Sequence, residues 1–471
     1  MRAISRIVVA GLIVAWMVLP DAASSQSARP LDVLEGLAPF SLLLSTPQGR
    51  EALAGNRRVT WDVQRGGSGR ADGTDQPLLQ PFPQQQAQAL KDAFITGNNA
   101  YGLADGLGSG LALAYRSLVG YESRDDGATA TATGNLPALE TLLAYANAVT
   151  GANAATAKYF FANGDVPDVA NVCKTAAVPG AAAILARSGA TTDVYGQAYL
   201  VRGGSKNPSP GADPCGDSRP FQTDYRLLMY TGDDFWGARS GNALYLDGPT
   251  QDLRMSPAFP SGHTTYGYAE SVLLGILVPQ RYSPMVTRGA EYGNDRIILG
   301  AHYAMDVIGG RTLALHDLAH LLADDPPYLN QAIKGGVSIA DFKQAVAAAR
   351  TELQGALRDA CRRSGEICNE DTSRFRDADA NAEFYESTQT YGLPIVNQNT
   401  AHVVENVSVV APDAGYLLTA AFPKLSLEQA DDILTATEGP GGGFLDTGGE
   451  FGVYSRIDLY KAVMSASTYS R

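Results

Sequence analysis

From about residue 85 the chain holds stretches in which apolar residues recur three and four positions apart, and that period admits helices and little else. Ala89, Leu90, Ala93, Phe94, Leu103, Leu107 and Leu111 mark the first stretch, within 87–119. Leu136–Thr150 forms a second. Thr264–Val278 is a third, with Tyr268, Val272 and Ile276 along one stripe. Met285–Leu322 is the longest, broken at Gly300. A fifth helix is expected over Ser338–Arg362, opened by Asp341 in a Ser-Ile-Ala-Asp string. Ser426 and Gln429 open a short sixth. Alternation of period two is scarce, and His402–Val410 is the best strand candidate. The fold class is therefore all-α.

The organisation follows from punctuation. Arg2 and Arg6 precede an unbroken apolar run, Ile7–Leu19, which Pro20 ends and small residues follow. That run is shorter than the roughly 20 residues a bilayer requires, so residues 1–25 read as a secretory signal peptide. The chain is expected to be periplasmic or secreted, with no membrane span. Residues 29–84 read as an irregular N-terminal arm and 85–322 as a core. Asp324-Asp325-Pro326-Pro327 marks a boundary, and 328–471 reads as a C-terminal appendage of unknown role. Four cysteines suit an oxidising compartment. Cys361 and Cys368 are the favoured local pair, leaving Cys173 and Cys215. The net charge of −13 argues against nucleic acid as a partner. An anionic substrate would need its own cluster of cations, which screening permits at separations beyond about 8 Å.

Five histidines are present, and two sit in compact polar strings. Pro260-Ser261-Gly262-His263 directly precedes a helical segment. Ser261 and Gly262 thus fall at a helix start, where unpaired N–H groups favour an anion. Arg296, His302 and Asp306 form the second string. Four residues apart, His302 and Asp306 share a face if one helix runs through both, and the carboxylate would then fix the imidazole tautomer. Lys206 and Arg219 lie upstream. With Arg296 they can bring three positive charges to a phosphate dianion. His316 and His320 have the spacing of two zinc ligands on a helix, but with no Glu between them they read as ordinary amphipathic helix. His402 reads as an ordinary histidine.

These strings resemble the type 2 phosphatidic acid phosphatase superfamily, which holds the bacterial class A non-specific acid phosphatases and the vanadium haloperoxidases. The resemblance spans about residues 200–310. It departs from the family's Lys-x6-Arg-Pro element, since 12 residues separate Lys206 from Arg219-Pro220. It departs again at Asp295, where the family usually has Ser; an acid beside a phosphate would repel it, so Asp295 is expected to turn away. The resemblance implies the helical bundle of that superfamily. It further implies a metal-independent acid phosphatase hydrolysing small phosphomonoesters, without a cofactor. His302 would be the nucleophile, Asp306 its orienting partner and His263 the general acid. Lys206, Arg219, Ser261, Gly262 and Arg296 would bind the phosphoryl group. The alternative is a vanadium-dependent haloperoxidase that holds vanadate in the same oxyanion site.

Overall fold

The computed structural model describes residues 46–64, 69–93, 95, 100–124, 127–130, 135–156, 219–220, 258–331, 337–364, 368 and 370–470. Its described residues are helical apart from one antiparallel hairpin, Tyr121–Arg124 with Gly127–Ala130. In chain order the longer helices are α1 (Pro47–Val63), α2 (Phe82–Asp92), α3 (Ser109–Leu118) and α4 (Pro137–Thr156). Then come α5 (Gly262–Leu277), α6 (Tyr282–Ile298), α7 (Ala304–Ala323), α8 (Phe342–Ser364) and α9 (Ala378–Thr390). The last three are α10 (Leu427–Ala436), α11 (Glu450–Arg456) and α12 (Leu459–Ser467). A 3₁₀ turn over Ala100–Leu107 separates α2 from α3, so the first helical stretch is two helices rather than one.

Helix α5 lies at the centre, packed on α4, α6 and α7. Its expected stripe is buried, but so is most of the opposite face, including Leu273, Leu274 and Leu277. A helix apolar all round is a core helix rather than a surface one. Each such leucine contributes about 1.5–3 kcal/mol by leaving water. The core is continuous with the C-terminal part of the chain: Leu315 and Leu318 of α7 share one hydrophobic cluster with Val453, Tyr454, Leu459 and Val463. Arg311 of α7, 1% exposed, reinforces this contact. Its guanidinium donates to the carbonyls of Thr388, Gln389 and Ser455, the last at 2.8 Å.

Two local expectations are corrected. Residues 47–63, read as part of an irregular arm, form α1. Thr46 caps it, its hydroxyl accepting the Gly49 N–H at 3.0 Å, and Pro47 stands where no amide partner is needed. The segment 402–410 is not a strand; it is irregular and ends in a single helical turn, Val407–Val410. Its apolar residues do not all have a partner layer, since Val404 and Val409 are exposed. The Ser426–Gln429 capping box forms as read, and the helix expected over Ser338–Arg362 starts at Phe342, with Asp341 accepting the Gln344 N–H. Cys361 and Cys368 are disulfide-bonded; Cys173 and Cys215 lie outside the described residues. Residues 1–25, read as a signal peptide, do too. No described helix is long and apolar enough to cross a membrane.

Candidate active site

Gly300 is the pivot of the site. At φ +66° it adopts a conformation that favours glycine, and the chain leaves α6 there. The Arg296 carbonyl accepts from both the Ala301 and His302 amides, closing the helix end. His302 therefore sits in the turn before α7, not on it. The shared-helix-face geometry expected for His302 and Asp306 is replaced by a capping one. Asp306, at the third position of α7, accepts the Tyr303 N–H at 2.8 Å and stands 3.5 Å from His302 Nδ1. Both side chains are fully buried.

The other histidine arrives from α5. Ser261 caps that helix, its hydroxyl oxygen accepting from the Thr264 amide and the Thr264 hydroxyl at 3.0 and 2.9 Å. Those two bonds use its lone pairs and leave its own proton to donate. The Ser261 amide donates to the Asp306 carbonyl at 3.0 Å, which ties the start of α5 to the start of α7. Gly262 and His263 follow, both half-buried. His263 Nδ1 lies 3.2 Å from His302 Nε2.

Arg219 completes the convergence. Its Nη1 donates to the Ala301 carbonyl and stands 3.1 Å from His302 Nε2. A guanidinium only donates. His302 Nε2 must therefore carry a lone pair, and its ring proton sits on Nδ1, towards Asp306. The nitrogen that faces His263 is thus an unprotonated base.

Arg296 is fully buried at the end of α6. Its Nη2 donates to the Asp92 carbonyl and its guanidinium lies 4.3 Å from the Tyr292 ring centre. Its Nε and Nη1 have no hydrogen-bond partner among the described residues. Tyr292 holds its proton, since burial pushes its hydroxyl up to about 12, and it donates to the Ile95 carbonyl. Asp295 faces away towards α2, accepting from Gln85 at 2.8 Å. Burial, with Asp92 and Glu291 behind it, raises its carboxyl well above the usual range. Beneath lies a buried ionic cluster. Arg288 binds Asp92 through two contacts of 2.7 Å and Asp105 at 2.6 Å, and Arg374 reaches in to Glu291 and Asp105.

Of the residues anticipated, His263, His302, Asp306, Arg219, Ser261 and Gly262 come together, and Arg296 meets them through its carbonyl. Lys206 lies outside the described residues. The Arg288 cluster and the close-packing glycines were not anticipated. A Cβ on Gly310 would stand 2.5 Å from the Ser261 carbonyl, and one on Gly267 would strike the Tyr292 ring. Glycine inside a helical pattern was the available signal. His316 and His320, read as ordinary amphipathic helix, are each only 2% exposed, because the C-terminal helices cover α7.

The arrangement defines a class: a helical protein with two histidines and a buried arginine, Arg219, around one point, suited to a tetrahedral oxyanion. Comparison with known proteins agrees, and residues 207–323 match the PAP2 superfamily. The chain is 32% identical to an acid phosphatase of Zymomonas mobilis over 106 residues, 22% of this chain and 34% of that protein. It is 39% identical to a non-specific acid phosphatase of Salmonella typhimurium over 69 residues, 15% of this chain and 28% of that protein. A non-specific acid phosphatase of Providencia stuartii is 32% identical over 110 residues, 23% of this chain and 42% of that protein. A quarter of the chain thus matches the PAP2 superfamily, and the chain spans less than half the length of these relatives.

Proposed function

We propose that the chain is an exported, metal-independent acid phosphatase that hydrolyses small phosphomonoesters through a phosphohistidine on His302. The observation that carries this reading is the pair of contacts on His302 Nε2, 3.1 Å from Arg219 and 3.2 Å from His263. A nucleophilic lone pair, an anion-binding cation and a second imidazole meet at one atom. The open Nε and Nη1 of Arg296 supply donors for phosphoryl oxygens, each charge-assisted bond contributing about 1.5–3 kcal/mol. Lys206, Ser261 and the Gly262 amide add to that set. The names of the relatives point the same way.

In this mechanism the His302 Nε2 lone pair attacks phosphorus and the P–O ester bond breaks. The leaving oxygen takes a proton from His263. Asp306 holds the Nδ1 proton and stabilises the positive ring that forms. Water then gives a proton back to His263, its oxygen attacks phosphorus, the N–P bond breaks and phosphate leaves. Fixed guanidinium groups stabilise the transition state without reorganising. The signal segment directs the enzyme out of the cytoplasm.

Rapid-quench labelling with a radioactive phosphomonoester, kept alkaline to preserve phosphohistidine, tests the covalent step. Label on His302 is expected in the wild type and in greater amount in His263→Ala. His302→Ala should abolish turnover of every substrate. His263→Ala should spare aryl phosphates over alkyl phosphates, because a weakly basic leaving group departs without a proton. Turnover in His302→Ala near the wild-type rate would refute the scheme. So would vanadate-dependent bromide oxidation in place of hydrolysis.

A further inference from the structure

A second group of histidines lies near the far end of α7. His316 and His320 are one turn apart, with ring centres 4.5 Å from each other. Glu450, the first residue of α11, places Oε1 3.2 Å from His320 Nε2. One donor atom from each of His316, His320 and Glu450 lies within 4.8 Å of the other two. The remaining ring nitrogens face carboxylates. His316 Nδ1 is 3.1 Å from Asp317, and His320 Nδ1 is 2.9 Å from Asp413 and 3.1 Å from Asp325. A metal-binding histidine is commonly backed in this way, the carboxylate fixing the tautomer and turning the other nitrogen to the ion.

An independent observation concerns direction. His320 is almost fully buried, yet neither of its nitrogens has an in-line hydrogen-bond partner among the described residues. The carboxylates are close but stand to the side of the ring axes. A proton on Nε2 would point past Glu450. An ion about 2.0–2.1 Å along that axis would meet the same carboxylate oxygen at bonding distance, because tetrahedral ligands of one ion sit about 3.3 Å apart. The observed separation is 3.2 Å. Four carboxylates around two imidazoles also favour a dication.

We propose that His316 Nε2, His320 Nε2 and a Glu450 oxygen bind one divalent transition-metal ion, zinc by the nature of the ligands, with a fourth position open to water. Ten residues of helix, about 15 Å, separate His316 from Asp306, so this ion is no part of the histidine-pair chemistry. It would clamp α11 to the helix that carries the candidate active site. The inference stands whether or not the phosphatase reading does.

The test is a titration of the full chain with zinc chloride, after a chelator has been used and dialysed away. Calorimetry should give one equivalent. The cobalt(II)-loaded protein should show the visible absorption of a four-coordinate site. Glu450 is 29% exposed, so Glu450→Gln should fold normally. It should weaken zinc binding by about 100-fold or more, at least the scale of losing an outer partner. His316→Gln should do the same, and His302→Gln should not. Zinc should raise the melting temperature of the wild type alone among the first three proteins. A silent wild-type titration would overturn the proposal and leave a protonated His320 as the occupant. Stoichiometric binding that survives both Glu450→Gln and His316→Gln would also overturn it, since the ion would then sit elsewhere.

Discussion

The spacing between the two site histidines is set by one glycine, and adding a single methyl group tests that dependence. In Gly310→Ala the new Cβ would lie 2.5 Å from the Ser261 carbonyl oxygen and 2.9 Å from Thr264 Cβ. Carbon atoms in contact prefer about 3.5–4.0 Å, so α5 and α7 must part by about 1 Å at this point. The Ser261 carbonyl cannot swing aside cheaply, because the Thr265 amide and hydroxyl both donate to it, at 3.0 and 2.9 Å. Overpacking of this kind costs about 1–3 kcal/mol, against which alanine regains about 1 kcal/mol of helix propensity. The net loss of stability should be about 0–2 kcal/mol. The loss of rate should be far larger. His263 stands two residues beyond Ser261, and a 1 Å misplacement of a catalytic group costs about 100-fold. Initial rates on p-nitrophenyl phosphate and urea unfolding midpoints, measured on the same preparation, separate the two effects. Gly355→Ala in α8 is the control: its nearest foreign atom is 4.0 Å away, so it should gain about 0.5–1 kcal/mol and keep its kcat. A Gly310→Ala enzyme with wild-type kcat would refute the claim that this helix contact sets the histidine spacing.

Arg288→Met should destabilise the fold by about 3–5 kcal/mol in urea, because it strands the buried Asp92, while Glu291 keeps Arg374; an unchanged midpoint would show that the cluster tolerates the loss. Asp431 should make the protein more stable towards acid. Its burial, with Asp432 and Asp413 adding to the effect against a backbone bond from Gly415, pushes its carboxyl up to about 7. An unfolded Asp ionises near 3.9, so between about pH 4 and 7 the unfolded chain has lost a proton that the folded one keeps. Stability should fall as pH rises through that window and level off above it. Asp431→Asn should remove that fall and gain about 1–3 kcal/mol at pH 8, with nothing gained at pH 4, after allowance for partial solvent screening. An equal difference at both pH values would sink the argument.

The helices were legible because burial on one face or all round leaves a three-to-four period, and Gly300 announced the break between α6 and α7. The motif histidines could be read as a pair because their strings are compact. What the string could not reveal was that His302 lies in the turn: the i,i+4 spacing to Asp306 suits a helix face and a capping turn equally well. Helix α1 was hidden by composition, since Arg57, Arg58 and the Gly66–Thr74 stretch after it look irregular, while its Thr46 cap is a single residue. The Arg288 cluster was illegible in a different way. Asp92, Asp105, Glu291 and Arg374 are scattered over some 280 positions, and only the packing of α2, the 3₁₀ turn and the segment before α9 against α6 brings them together. The same holds for the burial of His316 and His320, which depends on α11, well over 100 residues further along.

Arg311 bears on how this molecule could be cut. It sits inside the stretch that matches the superfamily, but all three carbonyls it serves belong to residues after 380. A gene trimmed at codon 323 would therefore not encode a smaller working version. It would leave a buried guanidinium short of three acceptors, with the Tyr268 hydroxyl still beside it, a defect of several kcal/mol before the lost apolar cover is counted. The matched stretch is not a cassette that can be lifted from its surroundings, and grafting it elsewhere would require the host to supply three acceptors in the same places. Recombination between relatives should therefore succeed only where both halves travel together.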